Sequence, residues 1–152
     1  MPSHGLRAVV RAAAPHIPRE AVLVSATKGF ETDTLQRMSE VIAEETQGKH
    51  PVVALSGPSF AMEVARQLPT ALVAASTDRS AVPAVQHQFR GRSLRVYGSE
   101  DVVGVEVGGS LKNTIAIAAG VVESLHLGHN ALSALITRGL AEISRLACAM
   151  GG

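Results

Sequence analysis

The hydrophobic positions in the first hundred residues follow two alternating patterns. Short β-branched runs predict four strands, at residues 21–26, 52–55, 71–76 and 94–97. Between them, apolar residues at helical spacing predict helices near residues 4–14, 33–46, 59–67 and 80–90. Ser59 and Ser80 are suitable caps for the last two of these helices, and Thr32 or Asp33 for the second. Strands that alternate with helices favour parallel pairing through crossover helices, so we expect an α/β fold.

The pattern changes after Tyr97, where strands give way to two long helical segments. Residues 101–125 are typical of one long helix, and residues 130–150 place leucine, isoleucine and alanine at helical core spacing. We therefore predict two long helices and a domain boundary near residues 98–101. Residues 1–100 would form the α/β domain, and residues 101–152 would begin a helical domain.

Composition and charge exclude several classes of protein. With 152 residues and 46% hydrophobic content, the chain is long enough for one globular domain with a sizeable core. Its formal charge of +1, from interspersed acidic and basic residues, provides no basic face for nucleic acid. The longest apolar run carries a lysine at its middle and is shorter than the roughly 18 residues that a bilayer requires, so we expect no membrane span.

The cysteine and histidine content narrows the expected chemistry. Cys148 is the only cysteine and cannot form a disulfide within the chain, so a reducing, cytoplasmic location fits best. His126 and His129 have no cysteine or acidic residue nearby at metal-binding spacing. We therefore predict no metal site.

One lysine stands in the apolar stretch VGGSLKNTIAIAAGVV (107–122). On a helix, Lys112 shares its face with Gly108, Gly109 and Ala116, so it emerges from a strip of small side chains that admits close neighbours. An ammonium buried without a partner loses several kcal/mol of hydration free energy. The residues alone leave two interpretations open. The lysine stem lies along apolar surface with its charged head in water, or the lysine belongs to a functional site.

A second set of residues follows the first two predicted strands. Lys28 lies in TKG (27–29) after the first strand, and Gly57 and Ser59 lie in SGPSF (56–60) after the second. Ligands of open α/β sheets bind at this carboxyl edge. If Ser59 opens a helix, its free amide groups suit a phosphate or carboxylate, with Lys28 as the countercharge. Ordinary turn and cap chemistry is the simpler explanation of Gly57 and Ser59 taken alone, as is a solvated loop lysine for Lys28.

Four stretches resemble, in order and spacing, motifs of the NAD(P)-dependent glycerol-3-phosphate dehydrogenases: SATKGFE, SGPSFAMEVA, GGSLKNTIAIAAGV and NALSALITRGLAEISRLA. The resemblance covers essentially the whole chain. It implies an α/β fold that is the second half of a Rossmann-like parallel-sheet domain, followed by the first long helices of an all-α domain. It also implies NAD(P)H-dependent interconversion of dihydroxyacetone phosphate and sn-glycerol 3-phosphate in glycerophospholipid synthesis, with NADP or NAD as cofactor.

The resemblance assigns roles to both lysines. In the family's LKN motif the lysine is the proton acceptor and the asparagine helps to position the substrate, which implies these roles for Lys112 and Asn113. The lysine of the family's TKG motif touches both substrate and cofactor, which implies this role for Lys28. Oxidation of a secondary alcohol needs a base for the hydroxyl proton, and a lysine serves near neutral pH only where burial or a nearby cation lowers its pKa. The apolar helix is the expected source of burial, and Lys28 is the candidate cation.

The family's GP[ST]FA motif implies substrate contacts at Gly57 and Ser59 and a cofactor contact at Ala61. The chain departs from the family elsewhere, since it contains no G-x-G-x-x-G to hold the dinucleotide pyrophosphate and no counterpart of the family's later aspartate and arginine–asparagine motifs. We therefore expect a central fragment that is inactive alone, with Met1 a false gene start or an artificial boundary. The full-length form is expected to be a homodimer. The alternatives are a non-catalytic truncated remnant, and another hydroxy-acid dehydrogenase of the same superfamily.

Overall fold

The computed structural model describes all 152 residues and contains one four-stranded sheet with helices on both faces. The strands are β1 (Leu23–Ser25), β2 (Val52–Ser56), β3 (Thr70–Ala75) and β4 (Leu94–Ser99). The helices are α1 (Leu6–Ala13), α2 (Met38–Glu45), α3 (Ala61–Ala65), α4 (Ala81–Phe89), α5 (Val102–Ser124) and α6 (Gly128–Ala149). This order confirms the predicted α/β fold followed by two long helices.

The sheet is not parallel throughout, which corrects one prediction. In the spatial order β1-β2-β3-β4, the outer pairs are parallel, but β2 and β3 are antiparallel, with Ser56 opposite Val73. The connection between them explains the reversal. A parallel return needs a helix that travels back along the sheet. The five residues of α3 rise only about 7.5 Å, whereas the five residues of β2 extend about 17 Å.

Two apolar clusters fill the space between the sheet and its helices. On one face, α1 and α2 bury Leu6, Met38, Val41 and Ile42 against the side chains of β1 and β2. On the other face, α4 packs over the alternate side chains of β2, β3 and β4. Because successive strand residues point to opposite faces, these two clusters account for the nearly continuous apolar runs in the sequence.

Two helices begin later than predicted. The segment before α2 forms a tight loop instead, in which Phe30 pairs with Arg37 and Leu35 adopts a φ of 58°. Neither Thr32 nor Asp33 therefore caps α2, and Arg37 occupies the cap position. The short helix α3 is capped by Phe60 rather than Ser59. Ser80 does precede α4, as predicted, although its side chain makes no capping hydrogen bond.

A cluster of ion pairs fastens α1 to α2 and to the loop after β1. The Arg7 guanidinium pairs with Glu31 and Glu45 at 2.7 Å each, and Arg11 pairs with Glu45 at 2.8 Å. The hydrogen bonds from Arg7 and Thr34 lower the pKa of Glu31 to about 2. Those from Arg11 and Arg7 lower the pKa of Glu45 to about 2 as well. These carboxylates are therefore more acidic in the folded chain than in an unfolded one.

The helices α5 and α6 pack as a hairpin joined by residues 125–127. Asp101 caps α5 by accepting a hydrogen bond from the Gly104 amide at 2.6 Å, so the helix begins where the sequence predicted. At the turn, His126 has a φ of 53°, and the amides of His126 and Leu127 donate to the carbonyls of Glu123 and Val122. This is the Schellman pattern that ends many helices.

Large apolar side chains remain exposed on both α3 and the hairpin. Ile117 is 71% exposed and Leu140 58%, while Phe60 and Met62 around α3 are 70% and 65% exposed. Exposed apolar side chains of this size are more typical of surfaces that bind another protein than of freely solvated ones. None of the helices combines the length and apolar character that a membrane crossing requires. The division into domains at residue 100 stays a prediction.

Candidate functional site

The topology explains how Lys112 comes to the same edge of the sheet as Lys28. Because β4 runs against β1 and β2, it ends at the edge opposite to Lys28. The chain enters α5 there and crosses the sheet over β2 and β3. Lys112 lies ten residues after the start of α5, a rise of about 15 Å that is close to the length of a five-residue strand. The antiparallel reversal therefore delivers the second lysine to the carboxyl ends of β1 and β2.

Lys28 and Lys112, which we call the lysine pair, lie close enough to affect each other. The pKa of Lys28 is lowered, first by partial burial of its ammonium and then by contact with, and charge repulsion from, Lys112. The Lys28 Nζ donates one long hydrogen bond to the Gly57 carbonyl, at 3.5 Å. An ammonium has three donors, so Lys28 keeps donor capacity for an anion.

Lys112 is exposed, which corrects the expectation that its apolar helix buries it. One small residue of α5, Gly109, instead allows close packing of the helix on the sheet below. Gly109 is buried, and a Cβ added to it would lie 2.7 Å from the Ser56 Oγ and 3.9 Å from the Lys28 Cγ. The absence of a side chain at Gly109 therefore lets α5 approach the edge that carries Lys28.

A hydroxyl joins the loop of Lys28 directly to α5. The Gly29 amide donates to the Ser110 Oγ at 3.0 Å, and the same hydroxyl donates to the Glu106 carbonyl at 2.7 Å. Gly29 has a φ of 113°, a conformation that side chains disfavour. The loop of Thr27, Lys28 and Gly29 thus turns sharply with its amide directed at the helix.

Glu106 anchors the same part of α5 to the start of α2. Its side chain is buried, and it accepts hydrogen bonds from the Ser39 amide at 2.8 Å and the Ser39 hydroxyl at 2.6 Å. Arg37 donates to it at 3.1 Å. A carboxylate at this position supplies the acceptor that the first amides of α2 lack, and it interacts favourably with the positive end of the helix dipole.

Gly57 is required by the backbone at the end of β2. Its φ is 141°, and an added Cβ would lie 2.9 Å from the Ala71 carbonyl oxygen and 2.9 Å from the Leu72 Cδ2. This glycine lets β2 and β3 approach each other where its own carbonyl faces Lys28. The conformational reason for glycine here is therefore independent of any ligand.

The other residues singled out from the sequence are less closely tied to the lysine pair. Ser59 is exposed on the segment that leads into α3, and it does not open the helix as predicted. Ala61 is exposed at the first position of α3. With only five residues, α3 is too short to serve as an anion site by its dipole alone. Asn113 is exposed beside Lys112.

The sequence patterns missed Ser110 and Glu106. Both lie in the first turns of a mostly apolar helix, and their partners are more than sixty residues away in the chain. The signal that could have found them is the polar character of both residues in an otherwise apolar segment, since a buried polar side chain must have a hydrogen-bond partner.

Solved structures with similar folds include two dehydrogenases. A glycerol-3-phosphate dehydrogenase from Coxiella burnetii superposes with a TM-score of 0.91 at 40% identity, covering 100% of this chain and 46% of that chain. A glycerol-3-phosphate dehydrogenase from Saccharomyces cerevisiae gives a TM-score of 0.84 at 29% identity, covering 96% of this chain and 44% of that one. The fold is thus that of a dehydrogenase in which an α/β sheet leads into a helical hairpin.

Family models and a curated relative identify the family. The model of the NAD-dependent glycerol-3-phosphate dehydrogenase N-terminus matches residues 1–82, and that of the C-terminus matches residues 101–152. A glycerol-3-phosphate dehydrogenase [NAD(P)+] from Koribacter versatilis is 53% identical over 154 residues, covering 100% of this chain and 46% of the relative. The chain belongs to the NAD-dependent glycerol-3-phosphate dehydrogenase family. It spans about half the length of the curated relatives that it matches.

Proposed function

We propose that this chain carries the substrate-binding edge of an enzyme that interconverts dihydroxyacetone phosphate and sn-glycerol 3-phosphate with NADP or NAD. The observation that carries the proposal is the lysine pair, which the fold assembles from residues 84 positions apart in the sequence. These are two of only three lysines in the chain. Family membership supports the same reaction.

The lysine pair suits a phosphate ester by its charge. Two ammonium groups held close together repel each other, and a dianion placed between them converts that repulsion into attraction. Lys28 is the proposed phosphate contact, because it retains donors beyond its long bond to Gly57. Gly57, Ser59 and Asn113 are proposed to line the substrate beside the pair.

Lys112 is proposed to accept the proton when the substrate alcohol is oxidised. Its Nζ takes the proton of the C2 hydroxyl as the C–H bond at C2 breaks, and it returns the proton when the ketone is reduced. The nicotinamide cofactor supplies the chemistry of hydride acceptance and donation. Lys112 is exposed at the edge of the sheet, and it is therefore accessible to a bound substrate.

The residues of this chain fit the cofactor only in part. Lys28 and Ala61 are the proposed cofactor contacts, and the free donors of the Lys28 ammonium suit an anionic group. The chain has no G-x-G-x-x-G sequence with which to hold a dinucleotide pyrophosphate. The choice between NAD and NADP is therefore left open, and the proposal assigns no pyrophosphate contact to these residues.

Two measurements test the proposal. Binding of glycerol 3-phosphate to this chain is followed by calorimetry, with glycerol as the ligand that lacks the phosphate and Lys49→Met as the control variant. We expect glycerol 3-phosphate to bind and Lys28→Met to weaken binding, with Lys49→Met unchanged. Equal binding by the Lys28 and Lys49 variants would contradict the assignment of Lys28.

Turnover is measured as NADH consumption with dihydroxyacetone phosphate. The assay compares this chain with a version extended by the flanking segments of the Koribacter versatilis relative, for which we expect activity only in the extended form. A folded, extended chain that binds NADH but does not reduce dihydroxyacetone phosphate would favour another hydroxy-acid substrate. Activity recovered by adding the flanking segments as a separate chain would favour assembly from two chains.

A cytoplasmic location and a homodimer in the full-length form belong to the same proposal. The location is supported by the single cysteine. The dimer is supported by the exposed apolar face of the helical hairpin, which includes Ile117 and Leu140.

A further inference from the structure

We propose that the Ser110 hydroxyl is a positioning group that holds the loop of Lys28 against α5 and thereby sets the spacing of the lysine pair. The inference concerns the geometry of the pair. Only its consequence for substrate binding rests on the proposed function. Ser110 is the residue of α5 that contacts this loop by a hydrogen bond, and it precedes Lys112 by two positions.

The direction of the hydrogen bonds supports this role. A serine hydroxyl has one hydrogen to donate, and in Ser110 it is committed to the Glu106 carbonyl at 2.7 Å. The oxygen lone pairs are left to accept from the Gly29 amide at 3.0 Å. The hydroxyl is thus oriented by its own helix before the loop binds to it, which reduces the entropy lost in forming the contact with Gly29.

Charge repulsion makes such a contact necessary. Two ammonium groups at close range push the flexible partner away, and Lys28 is on a loop whereas Lys112 is on a helix. Besides the bond of the adjacent Gly29 amide to Ser110, this loop has two longer hydrogen bonds, from the Lys28 Nζ to the Gly57 carbonyl at 3.5 Å and from the Thr27 amide to the Ser25 Oγ at 3.3 Å. The shorter bond through Ser110 is therefore the stronger restraint on the loop.

The helix end of this contact is itself fixed. Glu106 lines the same small cavity as Lys28, but its carboxylate is occupied by Ser39 and Arg37. The first turns of α5 are thereby tied to α2. A continuous set of hydrogen bonds runs from α2 through Glu106 and Ser110 to Gly29, and it ends next to Lys28.

Lysine titration by NMR tests the inference without any ligand. With only three lysines, selective ¹⁵N labelling gives three side-chain signals, and Lys49 serves as the internal reference. In Ser110→Ala we expect the pKa of Lys28 to rise from its lowered value toward that of a lysine in an unfolded peptide, because the released loop exposes the ammonium to water and carries it away from Lys112. Ser110→Thr, which keeps the hydroxyl, should retain the lowered value. Thr114→Ala, one turn further along α5, should leave it unchanged.

A second pair of variants guards against a general loss of structure. Ser110→Thr and Ser110→Val have nearly the same shape and differ in the hydroxyl, so a difference in Lys28 titration between them reports the hydrogen bond. We also expect glycerol 3-phosphate to bind about two- to tenfold more weakly to the valine than to the threonine variant, the range for the loss of one hydrogen bond.

Identical Lys28 titration in the folded threonine and valine variants would overturn the inference. Absence of glycerol 3-phosphate binding in the unmodified chain would instead count against the proposed function, and the titration result would still decide the role of Ser110.

Discussion

The contact between Glu106 and the start of α2 is predicted to be a major source of stability for the joint between the sheet and the helical hairpin. The perturbation is Glu106→Ala, which removes the acceptor of three hydrogen bonds, two from Ser39 and one from Arg37. Arg37 keeps its second partner, Glu40, at 2.6 Å, so its charge is not left unpaired. The Ser39 amide has no such replacement.

The magnitude follows from these partners. A hydrogen bond to a charged group contributes about 1.5–3 kcal/mol, and a carboxylate at a helix N-terminus adds about 0.3–1 kcal/mol. Glu106 is only 9% exposed, so solvent screens this contribution little. We expect Glu106→Ala to lower the free energy of unfolding by about 2–4 kcal/mol. Glu106→Gln keeps one acceptor for the Ser39 amide and should cost about 1–2 kcal/mol.

Urea denaturation, followed by circular dichroism, measures these differences. At this chain length, each kcal/mol corresponds to a melting temperature shift of about 2–4 °C, which offers an independent check. The matched control is Glu142→Gln on α6, which weakens two ion-pair contacts, to Arg138 and Arg145 at 2.8 Å each. The side chain of Glu142 is 53% exposed, and we expect a loss of no more than about 1 kcal/mol.

The comparison between Glu106→Gln and Glu142→Gln tests whether burial and the helix terminus stabilise the contact. Equal losses for Glu106→Gln and Glu142→Gln would refute the reasoning, since burial and the helix terminus would then contribute nothing. A loss confined to Glu106→Ala would show that side-chain volume, and not charge, stabilises the joint.

Four further predictions follow from the structure. Glu31 and Glu45 each have a pKa of about 2 in the folded chain, below that of a glutamate in an unfolded chain. Their contribution to the free energy of unfolding is therefore complete above about pH 4.5 and should be lost as the pH falls toward 2. The melting temperature, measured as a function of pH, reports this loss. Lys112→Met in the extended chain should lower turnover by roughly two to four orders of magnitude, and a change within a small factor would remove its role as proton acceptor. Gly57→Ala should lower the free energy of unfolding in urea by at least about 1–3 kcal/mol, because Gly57 has a φ of 141° and lies close to a carbonyl of β3. The control Gly120→Ala, which has open space around the added methyl group, should be neutral or stabilising. The exposed apolar faces of α3 and the hairpin should cause self-association, which sedimentation would detect as a mass that rises with concentration; a monomer at all concentrations would contradict this.

Local patterns in the sequence were sufficient for the four strands and the two long helices. The β-branched runs located all four strands to within two residues, and the long helices α5 and α6 begin and end within two residues of their predicted limits. These features depend on residues that are neighbours in the chain, whose spacing repeats with the period of the helix or strand. Lys28 and Gly57 were placed at one sheet edge for the same reason, since β1 and β2 are parallel as predicted.

The predictions were wrong where the structure depends on contacts between distant parts of the chain. Nothing local distinguishes a helix that crosses the sheet from the five residues of α3, so the reversal between β2 and β3 was missed. Residues 30–37 form a loop and not the predicted helical turn, because side chains of this loop pair with α1. Glu31 of the loop, for example, forms an ion pair with Arg7 of α1. The predicted burial of Lys112 failed because the apolar character of a segment does not say which of its faces is covered.

By itself, then, the sequence determined the four strands and the two long helices, that they form an α/β fold, and that Lys28 and Lys112 merit attention. Only the tertiary structure decided that the two lysines meet, through the antiparallel reversal that sends α5 back across the sheet. It alone revealed the contacts of Ser110 with Gly29 and of Glu106 with Ser39. The physical reason is that periodicity reports interactions over a few residues, whereas these contacts join residues more than sixty positions apart and depend on how whole elements pack.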